Sequence, residues 1–175
     1  LLCHKIRRPR LDEPEPWRQG FSRWIAEALR LRPDSVVDRY RLGVFHASLQ
    51  SARDVPALAR FREAIALFEA RPAERRSPQD RDFKPYVKSL YGAARSAFRL
   101  GRLAEARAWA FRCIRADGER NHVEPTFKLF LAARILFAEG RRADAERGLR
   151  LALESRHTGP RDFVFGLLAE IALAD

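Results

Sequence analysis

The sequence predicts an all-α protein, a solenoid of about eight antiparallel helices. Small and apolar residues recur at helical spacing along most of the chain, and no segment shows a convincing strand pattern. The pattern also repeats. Gly140 and Ala145 follow Gly101 and Ala106 at the same interval, 39 residues. A fixed period of this size is typical of helical repeat proteins.

The stretch 91–117 shows the repeating unit most clearly. Two short amphipathic helices are separated by a turn at Gly101, and small residues lie where the two helices would cross. We expect Gly101 to end the first helix in a left-handed conformation, which costs glycine little. We expect Ala106 to be buried at the crossing, because a small side chain lets two helices approach closely.

Residues 1–16 form a basic, proline-rich flank that differs from the rest of the chain. Three apolar residues are followed by Lys5, Arg7, Arg8 and Arg10, as at the end of a membrane span with its positive flank. An ordinary basic tail explains the same residues. The chain contains no methionine, which suggests a mature fragment or an excised domain. We therefore expect residues 5–10 to favour an anionic membrane surface if a span precedes them.

Residues 17–175 are predicted to form the helical domain. Prolines, glycines and charged stretches divide it into helices over about 17–32, 36–49, 56–70, 83–100, 102–117, 125–138, 142–155 and 160–175. The longest break is 71–85, which holds three prolines and dense charge. It is predicted to be an exposed loop that buries almost nothing and to be the most mobile internal segment.

The composition indicates a basic protein without an evident catalytic site. The formal net charge is +11, and 30 of the 34 basic residues are arginine, so the charge reflects either codon bias or a functional basic surface. The two cysteines form no CxxC pair, and the four histidines are scattered. Neither a metalloprotease motif, a nucleophile elbow nor a phosphate-binding loop is present. We expect no enzymatic activity, metal or cofactor, and a reducing, cytoplasmic location.

Four short motifs carry a resemblance to the tetratricopeptide repeat (TPR) family. Leu42-Gly43 resembles that family's Leu-Gly step, and Ala28-Leu29 followed by Pro33 resembles its closing motif. The turns beginning at Gly101 and Gly140 resemble its Gly-x-aromatic-x-x-Ala turn, although Leu103 and Arg142 replace the aromatic residue. The insertions at 51–56 and 71–85 depart from the family pattern.

The resemblance implies a scaffold that begins on a B helix, continues with three A–B pairs and ends on a lone A helix. Such scaffolds bind proteins or peptides on the concave face formed by the A helices. The resemblance implies the following partner-binding residues: Tyr40, Val44, Lys88, Tyr91, Arg95, Phe98, Arg99, Phe127, Phe130 and Arg134. The aromatic and arginine content suits a partner with acidic groups or aromatic anchors. Alternatively, Phe127 and Phe130 pack between neighbouring helices.

Three functional interpretations follow. The first is a protein–protein adaptor, tethered to the cytoplasmic face of a bacterial membrane within a secretion or polysaccharide-export assembly. The second is a nucleic-acid-binding solenoid, suggested by the net charge of +11, although the arginines are spread over most helices. The third is a regulatory domain of a larger enzyme, since repeat arrays often accompany catalytic domains.

Overall fold

A computed structural model describes residues 15–49, 54–155 and 161–173, and within these ranges the regular structure is entirely helical. The α-helices are α1 (Glu15–Leu31), α2 (Val36–Ser48), α3 (Asp54–Glu69), α4 (Phe83–Arg99), α5 (Leu103–Asp117), α6 (Pro125–Ala138), α7 (Arg142–Glu154) and α8 (Asp162–Leu173). Short 3₁₀ turns occur at Ala73–Arg75 and Gly118–Arg120. The predicted all-α architecture is confirmed.

The helices pack as a solenoid of successive pairs. The pairs α2/α3, α4/α5 and α6/α7 form extensive contacts, and each pair packs on the next through α3 with α4, α5 with α6 and α7 with α8. The even-numbered helices also contact one another in order, α2 with α4, α4 with α6 and α6 with α8. They therefore form one continuous layer, and we call its surface the even-helix face.

The turns within two of these pairs have the conformation that the sequence predicts. Gly101 and Gly140 have φ angles of 72° and 77°. After each glycine, the backbone N–H of the next residue donates to a carbonyl in the last turn of the preceding helix, from Arg102 to Ala97 at 3.0 Å in the first pair. These bonds satisfy carbonyls that the helix end leaves without partners. Ala106 is fully buried, as expected.

The interior consists of two clusters of buried side chains that meet at α6. The first cluster spans α2 to α6 and includes Leu131 and Ile135 of α6. The second is formed by α6, α7 and α8 and includes Ala133 and Leu136 of α6. Opposite sides of α6 thus belong to different parts of the core.

The segment 71–85 is better anchored than its composition suggests. Asp82 and Phe83 are buried, so the expectation that this segment buries almost nothing was wrong. Arg71 forms ion pairs with Asp80 and Asp82, and its guanidinium lies 5.5 Å from the ring centroid of Phe68. These contacts join residues within 68–82 at irregular spacings, so they leave no periodic signal in the sequence. The predicted mobility of the segment stays a prediction.

In the described ranges no helix is long and apolar enough to cross a membrane. The basic residues of the flank, Lys5 to Arg10, lie outside the described ranges. Their binding to an anionic surface stays a prediction.

Candidate protein-binding face

The predicted A helices correspond to α2, α4, α6 and α8, so the ten predicted binding residues belong to three of the four helices of the even-helix face. On α2, Tyr40 and Val44 are half-buried and pack against the first core cluster. The ring centroid of Tyr40 lies 6.3 Å from that of Phe61 in α3. Both residues therefore contribute to packing between helices, and only their outer surfaces remain for a ligand.

On α4, Lys88, Tyr91 and Arg95 are half-buried. Burial raises the pKa of the Tyr91 phenol, while the nearby positive charges of Arg95 and Arg99 oppose part of that rise. Tyr91, Arg95 and Arg99 are spaced four residues apart, so they lie on the same face of α4. The structure thus brings the α4 part of the predicted set together.

Arg99 has a structural partner that the sequence did not reveal. Its guanidinium lies 3.6 Å from Oδ1 of Asp54, whose side chain is 2% exposed. Neither carboxylate oxygen of Asp54 accepts a hydrogen bond from the described residues. A buried carboxylate needs a nearby positive charge, because its removal from water is costly. Arg99 therefore stabilises the start of α3, which reduces its availability to a partner.

Arg134 of α6 is in a different environment. Its guanidinium carbon lies 5.2 Å from the ring centroid of Phe98 in α4 and 5.8 Å from that of Phe130. The side chain is exposed, and no carboxylate in the described ranges pairs with it. Rings attract the face of a guanidinium, whereas hydrogen bonds form along its edge. Arg134 can therefore contact these rings and still donate hydrogen bonds to a ligand.

The aromatic contacts continue from Phe130 to α8. The ring centroid of Phe163 lies 4.5 Å from that of Phe130, in an edge-to-face arrangement. It lies 5.6 Å from the ring centroid of Phe127, in a stacked arrangement. Phe127 is 38% exposed. We call the set Phe98, Arg134, Phe130, Phe163 and Phe127 the aromatic row. It joins three even-numbered helices.

Phe163 is the member of the aromatic row that the sequence reasoning missed. The 39-residue interval leads from Phe127 and Phe130 to Gly166 and Ala169, so the repeat pattern does not point to Phe163.

Within the described ranges, no group of three or more His, Cys, Asp or Glu side chains could hold a metal ion. His122 packs edge-to-face on Phe83 at 5.7 Å between ring centroids. No protein-family model matches the chain, and no curated protein matches it.

Proposed function

We propose that the chain is a protein-interaction scaffold of the TPR type, which binds an acidic segment of a partner on the even-helix face. The observation that carries this proposal is Arg134, an exposed guanidinium 5.2 Å and 5.8 Å from two ring centroids and without a carboxylate partner in the described ranges. The left-handed turns at Gly101 and Gly140, and the buried alanines that follow them, support the TPR assignment.

The position of Arg134 near two rings suits recognition of a carboxylate. A guanidinium that already contacts neighbouring rings loses less conformational entropy when it forms a two-point contact. A hydrogen bond to a charged group contributes about 1.5–3 kcal/mol when it is shielded from water. Phe127 and Phe163 offer a partly exposed apolar surface beside it. The partner should therefore carry an Asp, a Glu or a terminal carboxylate close to an aromatic or aliphatic side chain.

The test uses an array of immobilised peptides in which acidic and aromatic residues are varied independently. Wild-type protein should retain peptides that combine both residue types, and Arg134→Glu should lose them. Arg23→Glu is the matched control, since Arg23 is exposed on α1 and has no ion pair among the described residues. Phe163→Ala should weaken binding while leaving the preference for acidic peptides unchanged.

Arg99 is unsuitable for this test, because its replacement would leave the Asp54 carboxylate without its positive neighbour. Helicity and melting temperature should be compared before binding is measured. If folded Arg134→Glu retains every peptide that the wild type binds, the even-helix face is not the binding surface.

The location of the scaffold is a separate proposal that rests on residues outside the described ranges. Lys5, Arg7, Arg8 and Arg10 would hold it at the anionic, cytoplasmic side of a bacterial membrane. Each basic residue near such a surface contributes about 1 kcal/mol. Co-sedimentation with anionic and with neutral vesicles tests this, and equal recovery with both would contradict it.

A further inference from the structure

A pocket of about 430 Å³ opens where α3 ends, α4 begins and α5 ends. Its lining residues are Phe68, Glu69, Ala73, Arg76, Phe83, Tyr86 and Ala116. None of the ten predicted binding residues lines it. The volume lies within the range of about 300–1,000 Å³ that is typical of small-ligand sites. The pocket is thus a second candidate site, separate from the aromatic row.

Aromatic rings form the apolar part of the pocket. Phe68 and Tyr86 are stacked, with ring centroids 4.4 Å apart and an interplanar angle of 19°. Phe83 lies 5.9 Å from Tyr86 and is buried, as Phe68 is. Tyr86 is only half-buried, so its ring is the most accessible of the three. A planar ligand ring entering the pocket would meet this cluster.

Glu69, the acidic residue of the lining, does not repel anions strongly, because other groups of the protein balance its charge. The carboxylate of Glu69 accepts a hydrogen bond from the Tyr86 hydroxyl at 2.9 Å and forms an ion pair with Arg112. Burial, followed by the contact with Glu69, raises the pKa of Tyr86 to about 12, so this hydroxyl remains a donor at neutral pH. Arg76 is then the uncompensated charge of the lining.

Basic side chains without ion pairs are concentrated in the two chain segments that contribute Arg76, Phe83 and Ala116 to this pocket. Among the Lys and Arg side chains that the structure describes, which begin after residue 19, eight have no ion pair and no hydrogen bond. Six of the eight lie in segments 75–84 and 115–120. The six are Arg75, Arg76, Arg81, Lys84, Arg115 and Arg120. Glu119 is the one exposed acidic residue within these two segments, and exposed Glu74 precedes the first of them. Basic residues as a whole are spread along the sequence, whereas most of those without a partner fall in these two segments.

We propose that this pocket binds a nucleotide, with the base against Tyr86 and the phosphate at Arg76. Bases stack on aromatic side chains regardless of sequence, and arginine binds phosphate along the edge of its guanidinium. The remaining basic side chains would contact further phosphates of a longer chain. The ligand is therefore either a free nucleotide or a nucleotide within a single-stranded nucleic acid.

Calorimetric titration of the full chain with adenosine 5′-monophosphate tests the pocket, with adenosine and inorganic phosphate as separate probes. The monophosphate should bind more tightly than either part, and Arg76→Glu should weaken its binding about tenfold or more. Arg75→Glu is the matched control. It makes the same change of charge at the residue before Arg76, and Arg75 does not line the pocket. Ala73→Phe, which places a ring at the pocket, should also reduce binding.

Titration with short single-stranded oligoadenylate shows whether the ligand is a free nucleotide or part of a single-stranded nucleic acid. Tighter binding of the oligonucleotide than of the monophosphate, with a steep salt dependence, assigns the site to nucleic acid. Equal binding of the two assigns it to free nucleotide. Absence of monophosphate binding, or equal losses in Arg75→Glu and Arg76→Glu, would overturn the proposal. Arg134→Glu should leave nucleotide binding unchanged, so failure of the peptide-binding proposal and failure of this one are distinguishable.

Discussion

Gly92 of α4 lies directly against the ring of Phe61 in α3. A Cβ at position 92 would stand 2.5 Å from Cζ of that ring, and one at Gly43 of α2 would stand 2.7 Å from its Cδ1. Phe61 is 2% exposed. The ring therefore fills the space between two even-numbered helices, and the absence of a side chain at both glycines permits this approach.

Gly92→Ala should lower the free energy of unfolding by about 1–3 kcal/mol, because the added methyl group overpacks this contact. Urea denaturation measures the change. Gly166→Ala is the control: it lies in α8 with no heavy atom within 4 Å of a built Cβ. It should raise stability by about 0.5–1 kcal/mol through helix propensity. Similar values for the two variants would show that the Phe61 contact is not tight.

Ala106→Leu should destabilise the protein by about 1–3 kcal/mol, since Ala106 is fully buried at the crossing of α4 and α5. Ala104→Leu is the comparison, because Ala104 is exposed in the same turn of α5. Thermal unfolding followed by circular dichroism measures both. A loss of stability in the Ala104 variant as large as that in the Ala106 variant would contradict burial at the crossing.

Asp117 anchors the connection from α5 to α6. Its buried carboxylate accepts hydrogen bonds from the backbone N–H groups of His122 (2.9 Å) and Val123 (3.1 Å) and from Nζ of Lys128 (2.8 Å). Asp117→Ala should lower the free energy of unfolding by about 3–5 kcal/mol, because the buried ammonium group loses its counter-charge and two N–H donors lose their acceptor. The ammonium group keeps its hydrogen bond to the carbonyl of Gly118 (3.1 Å). Lys128→Met should lower the free energy of unfolding by less, since the backbone N–H groups of His122 and Val123 keep their acceptor. The reverse order, measured by urea denaturation, would show that the carboxylate is not the anchor.

The Cys113 thiol should be protected in the folded protein. Burial, with a smaller effect from the negative charge of Asp117, raises its pKa to about 12, whereas the unfolded thiol titrates near pH 9.0. The resulting stabilisation is fully present below pH 9.0 and is lost as the pH rises towards 12. Each unit of pKa difference corresponds to about 1.4 kcal/mol.

Alkylation rates in a Cys3→Ser variant report on Cys113 alone. At pH 9 the folded protein should react far more slowly than the protein in urea, because the thiolate is the reactive form. Equal rates with and without urea would mean that Cys113 is accessible in the folded state.

The sequence predicts the local features of the fold well. Helix boundaries follow from prolines, glycines and apolar spacing, and Gly101 adopts the left-handed conformation that its position at a helix end suggests. The burial of Ala106 follows from helical periodicity. Each of these features depends on residues close together in the chain.

Contacts between distant segments were harder to predict. Arg99 pairs with Asp54 because α3 and α4 pack together, and no local pattern indicates that pairing. The cation–π contact of Arg134 with Phe98 depends equally on how α4 and α6 meet. Sequence periodicity places residues on a helix face, but the neighbour across that face decides whether a charged side chain already has a partner.

The division of the core at α6 has a consequence for the order in which the chain unfolds. Because α7 and α8 share the smaller cluster with one side of α6, they can detach while α2 to α5 stay folded against its other side. Backbone amides of α8 and α7 should then exchange with deuterium before those of α4. Phe130 and Phe163 connect α6 to α8 within the aromatic row. A partner bound there would contact both α6 and α8 and so stabilise the end of the solenoid that opens first. Amide exchange would therefore slow most at the carboxyl-terminal helices.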